Sequence, residues 1–348
     1  MHFVSWLSKD AVIRLLHSLR TTARKYRTPL AVVVWGVAFT LLGRVAQGAW
    51  QGLQVQSLDL SLGRLAVSVF LLLVAFLNGG LGWHLLLRAM GAQGPLGRDI
   101  GAWLIAQATK YLPAGTVWYF GGRFLQGKQA GLDGTTVALA LVLEFTFYLG
   151  GALALFGLSL GLWPGVPCGW QISVGTLGVI CLYFLLAPSL LGLACRCLDH
   201  QSGWRGQIAQ TLGRVQGRRL RWLALFYLFQ WILIGTAFWC LVASIHPVGA
   251  RQILALGGTF SLASALGYLV FPIPGGWGVR EQALAFLLAG FIPASLAPLV
   301  SILARLWYTL AEGLCVLLAL IMYRAFAWQH KRKTDNRNNS SDFTQKGY

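Results

Sequence analysis

Long apolar runs separated by short polar segments extend along most of the chain. Five of these runs occupy residues 29–46, 65–87, 135–162, 172–194 and 222–245. A helix needs about 20 apolar residues to cross the hydrocarbon core of a bilayer, and each run is close to or beyond that length. The pattern therefore predicts an all-α polytopic membrane protein.

Lysine and arginine are concentrated in alternate connecting segments. Six precede the first run, four lie in residues 91–133, six lie in 195–221 and five follow residue 326, whereas 48–61 and 163–169 have none. Cytoplasmic loops of membrane proteins carry an excess of Lys and Arg. The basic segments and both termini are therefore expected in the cytoplasm, and the protein in the inner membrane.

Four shorter segments cannot all be full crossings without moving a basic segment to the wrong side. They are residues 99–111 with 116–126, and residues 251–271 with 277–288. Two re-entrant hairpins, the first from the cytoplasm and the second from outside, restore the charge pattern. The prediction is about six full transmembrane helices plus two re-entrant helical hairpins.

With this assignment the two halves share one plan of span, span, hairpin and span, starting on opposite sides. We therefore predict two inverted repeats, residues 29–162 and 170–326, in one transmembrane domain over 29–326. Interrupted segments in corresponding positions of two halves point to a transporter's substrate site. Residues 1–28 are expected to form a basic interfacial helix, and 327–348 a disordered cytoplasmic tail.

Composition supports a membrane protein over other classes. The chain is 56% hydrophobic and 11% charged, with a mean hydropathy of +0.63. The net charge of +18 could suggest nucleic acid, but the cations flank apolar segments, so no nucleic-acid partner is expected. The six cysteines form no CxxC pair, and neither a metal site, a disulfide framework nor a cofactor is expected.

Ionisable residues inside the apolar segments are the candidates for function. The chain has three glutamates, Glu144, Glu281 and Glu312, and each lies in a predicted membrane segment. A charge at the centre of a membrane helix costs roughly 3 kcal/mol, so these residues should face a protein interior. Basic residues at a similar depth are Lys110, Arg123, Arg280 and Arg305.

Arg305 and Glu312 lie on one predicted helix, seven residues apart. Two helical turns separate them by about 10 Å, which is too far for a direct bond. Each is therefore expected to pair with a hairpin residue, in a charged cavity between the two repeats. The alternative is that these charges form ion pairs that only fix helix packing.

The two hairpin tips have similar sequences rich in proline and glycine. Helices that begin just after the tips would point N–H groups and a partial positive charge toward the membrane centre, as in an anion site. The alternative is a plain tight turn. The candidate tip residues are Tyr111, Pro113 and Gly115 in the first half, and Pro274, Gly275 and Gly276 in the second.

Two sequence blocks, KYLPAGTVWYFGGRFLQGKQAG at 110–131 and FPIPGGWGVREQALAFLL at 271–288, resemble the flippase-like family. This family is also described as the lysylphosphatidylglycerol synthase transmembrane region. The resemblance implies movement of a phospholipid or lipid-linked headgroup between leaflets. The full-length synthases have an aminoacyl-transferase domain with no counterpart here, so lysyl-lipid synthesis is not expected. The matching residues are Lys110, Tyr111, Pro113, Trp118, Gly122, Arg123, Pro274, Gly275, Gly276, Arg280 and Glu281.

These observations favour a flippase or transporter for an anionic phospholipid or a lipid-linked intermediate of polyprenyl or hopanoid type. The expected partners are membrane lipids and envelope biosynthesis enzymes. The alternatives are an intramembrane transferase and a non-catalytic subunit of an envelope lipid biosynthesis complex. An enzyme is not expected, because the G-x-S-x-G sequence around Ser159 lies in an apolar helical run instead of a strand-turn-helix.

Overall fold

The computed structural model describes residues 60–92, 94–110, 115–199, 213, 217–270 and 276–345, together with 40, 43–45 and 47–48. These residues form helices joined by turns, with no strand among them, which confirms the predicted all-α class. The segment 1–28 and almost all of the first predicted span lie outside them. The helices are α1 (Leu62–Ala89), α2 (Leu96–Thr109), α3 (Gly115–Gln129), α4 (Gly134–Ser159), α5 (Gly169–Asp199), α6 (Gly217–Ile245), α7 (Ile253–Leu269), α8 (Val279–Leu288) and α9 (Ala297–Gln345).

Several helices are long and apolar enough to cross a bilayer, so the protein is a multi-pass membrane protein. The qualifying stretches are Leu62–Ala89, Gly134–Leu162, Arg218–Ile245, Ala250–Leu269 and Ala297–Ile321. Four of them coincide with predicted spans. The fifth contains α7, which the sequence assigns to a hairpin. The helices that α7 contacts show whether it is a full span or one helix of a hairpin.

The helix α7 runs antiparallel to α4 but follows only half of it. Near the end of α4, Ser261 Oγ donates to the carbonyl of Ala152 at 2.9 Å. One residue before its own end, α7 has reached the middle of α4, where the rings of Tyr268 and Tyr148 lie 5.6 Å apart. Since α7 then stops, it enters the bundle without crossing it.

Hairpin 2 consists of α7 and the ten-residue α8, which returns to the side from which α7 came. At the turn, Gly276 has a φ of +66°. A Cβ on Gly276 would lie 2.7 Å from the Cα of Gly267, so only glycine fits. After α8, Phe291 packs edge-on against Trp163 beyond the end of α4, with ring centroids 5.2 Å apart. Hairpin 2 therefore starts and ends at the same side.

Hairpin 1 consists of α2 and α3, and it is built in the same way at the opposite end. Asp99 near the start of α2 contacts His84 near the end of α1 at 2.8 Å, and Trp103 reaches Phe76 in the middle of α1. Gln126 near the end of α3 donates to Asp99 at 2.7 Å, so α3 has returned to the starting side. With 14 and 15 residues, these helices are about 21 and 22 Å long, too short for full crossings.

The pattern of contacts between helices stays the same when each helix is replaced by its counterpart in the other half. The second spans of the two halves, α1 and α6, pack against each other. The first helix of each hairpin packs against the last span of the other half: α2 against α9, and α7 against α4. The second helix of each hairpin packs against the last span of its own half. Together with the opposite hairpin directions, this arrangement is the predicted inverted repeat.

One prediction differs from the structure at the C-terminal end. The sequence predicted disorder from residue 327, whereas α9 continues as a single helix of 49 residues to Gln345. No proline or glycine occurs between Gly313 and Gly347, so nothing in this segment interrupts a helix.

Candidate functional site

A cavity of about 90 Å³ lies where the two hairpins meet, at the level of the middle of α4. We call it the central cavity. Both halves contribute to its wall, which includes α1 to α4 from the first half and α6, α7 and α9 from the second. Gly276 at the turn of hairpin 2 also lines it. The lining residues used below are Trp103, Lys110, Tyr119, Arg123, Glu144, Tyr148, Gln230, Tyr268 and Tyr308.

Arg123 and Glu144 form a buried ion pair between α3 and α4 on the cavity wall. Glu144 is 4% exposed and Arg123 is 1% exposed. Trp103 Nε1 donates a second hydrogen bond to Glu144, at 2.8 Å. The Arg123 guanidinium also lies over the Tyr119 ring, 4.4 Å from its centroid. Because burying a single charge is strongly unfavourable, these contacts hold α3 against α4.

Lys110 joins the two halves of the molecule. It lies at the end of α2 in hairpin 1, and its Nζ forms an ion pair with Glu312 on α9. The Nζ also lies 5.3 Å from the centroid of the Tyr308 ring, one turn earlier on α9. The lysine that lines the cavity thus attaches hairpin 1 to the last span of the other half.

Glu281 holds hairpin 2 to α9. Its Oε1 accepts from Arg305 Nη1 at 3.2 Å, and its backbone carbonyl accepts from Ser301 Oγ at 2.7 Å. The expectation that Arg305 and Glu312 each pair with a hairpin residue is therefore confirmed. The second carboxylate oxygen of Glu281 accepts from the backbone N–H of Gly278 at 2.7 Å.

That last bond corrects one expectation about the second tip. The sequence predicted that a helix beginning at about Trp277 offers free N–H groups to an anion. The helix α8 begins at Val279, and Glu281 caps it by accepting from Gly278. A glutamate at the third helical position is well suited to such a cap. An anion would therefore have to compete with Glu281 at this helix end.

An ion pair joins corresponding helices in each half, but the charges are exchanged. In the first half the arginine is on the hairpin and the glutamate on the following span, as Arg123 and Glu144. In the second half the glutamate is on the hairpin and the arginine on the span, as Glu281 and Arg305. Either order joins the second helix of a hairpin to the next helix.

Arg280 lies just behind the cavity wall. Its guanidinium is between two aromatic rings, 4.7 Å from the centroid of Phe260 and 4.6 Å from that of Tyr308. The side chain is 6% exposed. Stacking on two rings keeps a positive charge close to the cavity without placing it in the empty space.

The sequence did not identify the polar aromatic and amide groups of the wall. Tyr148 and Tyr268 place their hydroxyl groups 3.5 Å apart. Gln230 Oε1 is buried and has no hydrogen-bond partner within the described part of the chain. In the sequence these residues look like ordinary members of apolar helices, because only the fold shows which face they occupy.

The remaining predicted site residues are placed only in part. Tyr111, Pro113, Pro274 and Gly275 lie outside the described residues, as does the side chain of Trp118. Gly115 is the first residue of α3.

Ser159 has a structural environment. Its hydroxyl donates to the carbonyl of Phe156 at 2.7 Å and accepts from Trp163 Nε1 at 3.1 Å. Among the described residues, no group of three or more His, Cys, Asp or Glu side chains could hold a metal ion.

Inverted repeats, two half-crossing hairpins and a buried charged cavity between them define a class of polytopic membrane proteins with an internal site. Residues 27–315 match the family described as Lysylphosphatidylglycerol synthase TM region, and the chain belongs to this family. The resemblance seen in the two hairpin blocks is thereby confirmed. No curated protein matches the chain. Membership indicates a membrane protein of lipid metabolism or lipid flipping.

Proposed function

We propose that this protein moves a lipid with an anionic headgroup between the leaflets of the inner membrane, through the central cavity. The cargo is a phospholipid or a lipid-linked intermediate of polyprenyl or hopanoid type, and both termini lie in the cytoplasm. The observation that carries the proposal is the position of the charged cavity, between two hairpins that enter from opposite ends of the bundle.

The charges at the cavity favour an anionic ligand. Three ion pairs, Lys110–Glu312, Arg123–Glu144 and Glu281–Arg305, are neutral overall. Arg280 behind Tyr308 leaves one positive charge in excess in this group of seven side chains. A phosphate could bind there by taking over bonds that the carboxylates now accept.

The hairpin directions favour alternating access. Moving hairpin 1 away from α9 would break the Lys110–Glu312 pair and open the cavity toward the end where hairpin 1 enters. Moving hairpin 2 would break the Glu281–Arg305 pair and open it toward the other end. Rocking of one repeat against the other around a fixed site is the usual mechanism of inverted-repeat transporters.

The attachments of the hairpins define the state of the protein. Lys110–Glu312 holds hairpin 1 to α9, and Glu281–Arg305 holds hairpin 2 to the same helix. Since both hairpins are bonded to α9 beside the cavity, we infer that this conformation is closed toward both ends. Transport then requires one hairpin to move before the headgroup binds.

The environment of the glutamates supports transport without chemistry. Each of the three carboxylates is bonded to a Lys or Arg side chain. These carboxylates are engaged in contacts between helices, which favours a structural role over chemistry on the lipid. We therefore infer that the lipid leaves the protein chemically unchanged.

The experiment is leaflet exchange in proteoliposomes that carry fluorescent phosphatidylglycerol or phosphatidylcholine, with a membrane-impermeant quencher. Wild type should exchange the anionic lipid faster than the zwitterionic one. Lys110→Gln with Glu312→Gln removes a pair without leaving a buried unpaired charge, and Arg280→Gln removes the excess charge. Each variant should lose at least about tenfold in rate, since a bond to a charged group contributes about 1.5–3 kcal/mol.

Lys128→Gln is the matched control, because Lys128 lies exposed in the last turn of α3, away from the cavity. It should exchange lipid like wild type. Mass spectrometry of the lipids should show no new product. Absence of protein-dependent exchange of every lipid would contradict the transporter, and a modified lipid would favour an intramembrane transferase.

A further inference from the structure

A second cavity lies between α4, α5 and α6, where residues of 146–154, 172–183 and 224–228 line it. We call it the side groove. Its volume is about 730 Å³, compared with about 90 Å³ for the central cavity. Leu153 and Val179 on its wall are 44% and 67% exposed, and both belong to apolar helices. The side groove therefore opens toward the hydrocarbon of the membrane.

The wall of the side groove is apolar. Within the part of the chain that the structure describes, every residue that lines it is uncharged. The hydroxyls of Thr146 and Thr176 donate to the carbonyls of Val142 and Ile172 in their own helices, each at 2.8 Å. A water molecule in a cavity needs about two to four polar partners, and such a wall offers few of them. The side groove thus suits hydrocarbon better than water.

Helices α4 and α5 are in close contact at one end of the side groove. A Cβ on Gly157, in the last turn of α4, would lie 2.4 Å from Oγ1 of Thr176 on α5. By contrast, an added Cβ on Gly150 or Gly175 would have no atom within 4 Å, and both glycines line the side groove. The side groove is therefore closed at the end of α4 and open along the middle of that helix.

Helix α6 begins at the other end of the side groove. Phe147 in the middle of α4 stacks on Tyr227 of α6. Further along both helices, a Cβ on Gly235 of α6 would lie 3.4 Å from Leu155 near the end of α4. Since α4 and α6 run in the same direction, the first turns of α6 lie away from the closed end at Gly157.

Two arginines in the first turns of α6 lie on the face that lines the side groove. Arg218 and Arg221 precede the groove residue Leu225 by seven and four residues, so all three share one helix face. Arg218 is exposed and Arg221 is half-buried. Arg219 is also exposed, but it lies about 180° around the helix from the groove residue Leu228. Positive charge is thus placed where an apolar chain would leave the side groove.

The contact between α4 and α6 separates the side groove from the central cavity. Phe147 lines the side groove, and the next residue, Tyr148, lines the central cavity. Tyr227 is fully buried and packs against both rings, with centroids 6.3 and 6.4 Å away. Trp231 Nε1 donates to the carbonyl of Tyr148 at 2.7 Å in the same contact. A chain in the side groove therefore belongs to a different lipid from one whose headgroup is in the central cavity.

We propose that the side groove binds one chain of an anionic membrane phospholipid that stays with the protein, with its phosphate at Arg218 and Arg221. The chain fills the space that α5 leaves beside α4 and α6, and a guanidinium group can bind a phosphate with two parallel hydrogen bonds. Because this lipid is not the cargo, the inference goes beyond the proposed function and does not depend on it.

The first test is native mass spectrometry of the full-length protein in detergent, with phosphatidylglycerol and phosphatidylcholine added in equal amounts. Wild type should retain phosphatidylglycerol in preference to phosphatidylcholine. Arg218→Gln should weaken the binding of phosphatidylglycerol about fivefold, the usual effect of one basic residue near a membrane surface. Arg219→Gln is the matched control, because it removes the same charge one residue away on the opposite face, and it should behave like wild type.

The second test fills the side groove. Gly150→Leu combined with Gly175→Leu places two side chains in the open space, and leucine is more favourable than glycine in a helix, so the variant should fold. It should lose most of the retained phosphatidylglycerol. Gly178→Leu is the control on α5, because its added Cβ also has no atom within 4 Å but Gly178 does not line the side groove. This control should retain lipid like wild type.

Several results would overturn the inference. These are equal retention of the two lipids, retention that persists in the filled variant, and retention that is lost in Arg280→Gln, since the lipid would then lie at the central cavity. A lipid-free dimer that the filled variant no longer forms would place a second copy in the side groove instead. Leaflet exchange is a separate measurement, so its absence would contradict the transporter and leave the retained lipid in place.

Discussion

At the scale of the residue, the buried charges are stable only as pairs, and Lys110 gives the clearest test. Lys110→Met should leave the Glu312 carboxylate, 1% exposed, without its cation. Removing one partner of a buried pair typically lowers the free energy of unfolding by about 3–5 kcal/mol. Thermal unfolding in detergent should therefore show a large loss of stability for Lys110→Met and a smaller loss for Lys110→Met combined with Glu312→Gln. Equal losses would show that the pair contributes little.

Asp133 gives a second residue-scale prediction, at the exposed start of α4. The Asp133 carboxylate accepts from the hydroxyl of Thr136 and, at 3.0 Å, from the backbone N–H of Thr136, so Asp133 caps the helix. Asp133→Ala should lower the free energy of unfolding by about 1 kcal/mol, the usual value of an N-cap. Asp133→Asn keeps an acceptor and should be close to wild type, and a similar loss in both variants would argue against the cap.

The Asp133 cap should also depend on pH. The Thr136 hydroxyl and N–H lower the pKa of Asp133 below its ordinary value of 3.8. The capping contribution is therefore fully present above that value and is lost as the pH falls through the lower, folded-state pKa. Unfolding measured from pH 5 down to about pH 3 should show this loss of stability in wild type and not in Asp133→Asn. Parallel curves for the two proteins would contradict it.

At the scale of the element, glycine sets how closely hairpin 2 approaches α6. A Cβ on Gly235 of α6 would lie 2.8 Å from the Cα of Gly257 on α7. Gly235→Val should therefore push the helices apart and lower the free energy of unfolding by about 1–3 kcal/mol, as overpacking usually does. Gly178→Val on α5 is the control, because no atom lies within 4 Å of the added Cβ. Equal unfolding temperatures for Gly235→Val and Gly178→Val would contradict close packing of α6 and α7.

The hairpins also show which element-scale features a sequence can reveal. Alternating Lys and Arg content predicted both hairpins, because topology depends on local charge. The seven-residue spacing of Arg305 and Glu312 correctly predicted two separate partners, since helix geometry is fixed by sequence distance. The hydrogen bonds of Asp99 could not be predicted, because His84 and Gln126 lie 15 and 27 residues from Asp99 on other helices. Only the packed hairpin brings them together.

At the scale of the whole molecule, the two halves have opposite charge orders in the ion pairs that join corresponding helices. Arg123→Glu with Glu144→Arg would give the first half the order found in Glu281–Arg305. Each single change should prevent stable insertion or folding, because two like charges would be buried together. The double variant should recover part of the stability, measured as folded protein extracted from membranes. Recovery should be incomplete, because Trp103 donates to Glu144.

If the double variant is no more stable than the two single variants, the repeats are not interchangeable in this respect. The helical spans and the hairpins were predictable, because they follow from apolar length and from the alternation of charged segments. The size of the cavity and its aromatic wall were not, since they depend on side chains from seven helices.

Helix α9 binds both hairpins at once. Lys110 of hairpin 1 pairs with Glu312, and Glu281 of hairpin 2 pairs with Arg305, two turns away on the same helix. The two hairpins therefore share one strut. Under the transport function that we propose, α9 would act as an interlock: while one hairpin moves, the other remains bound to the same helix, so that one end of the cavity stays sealed.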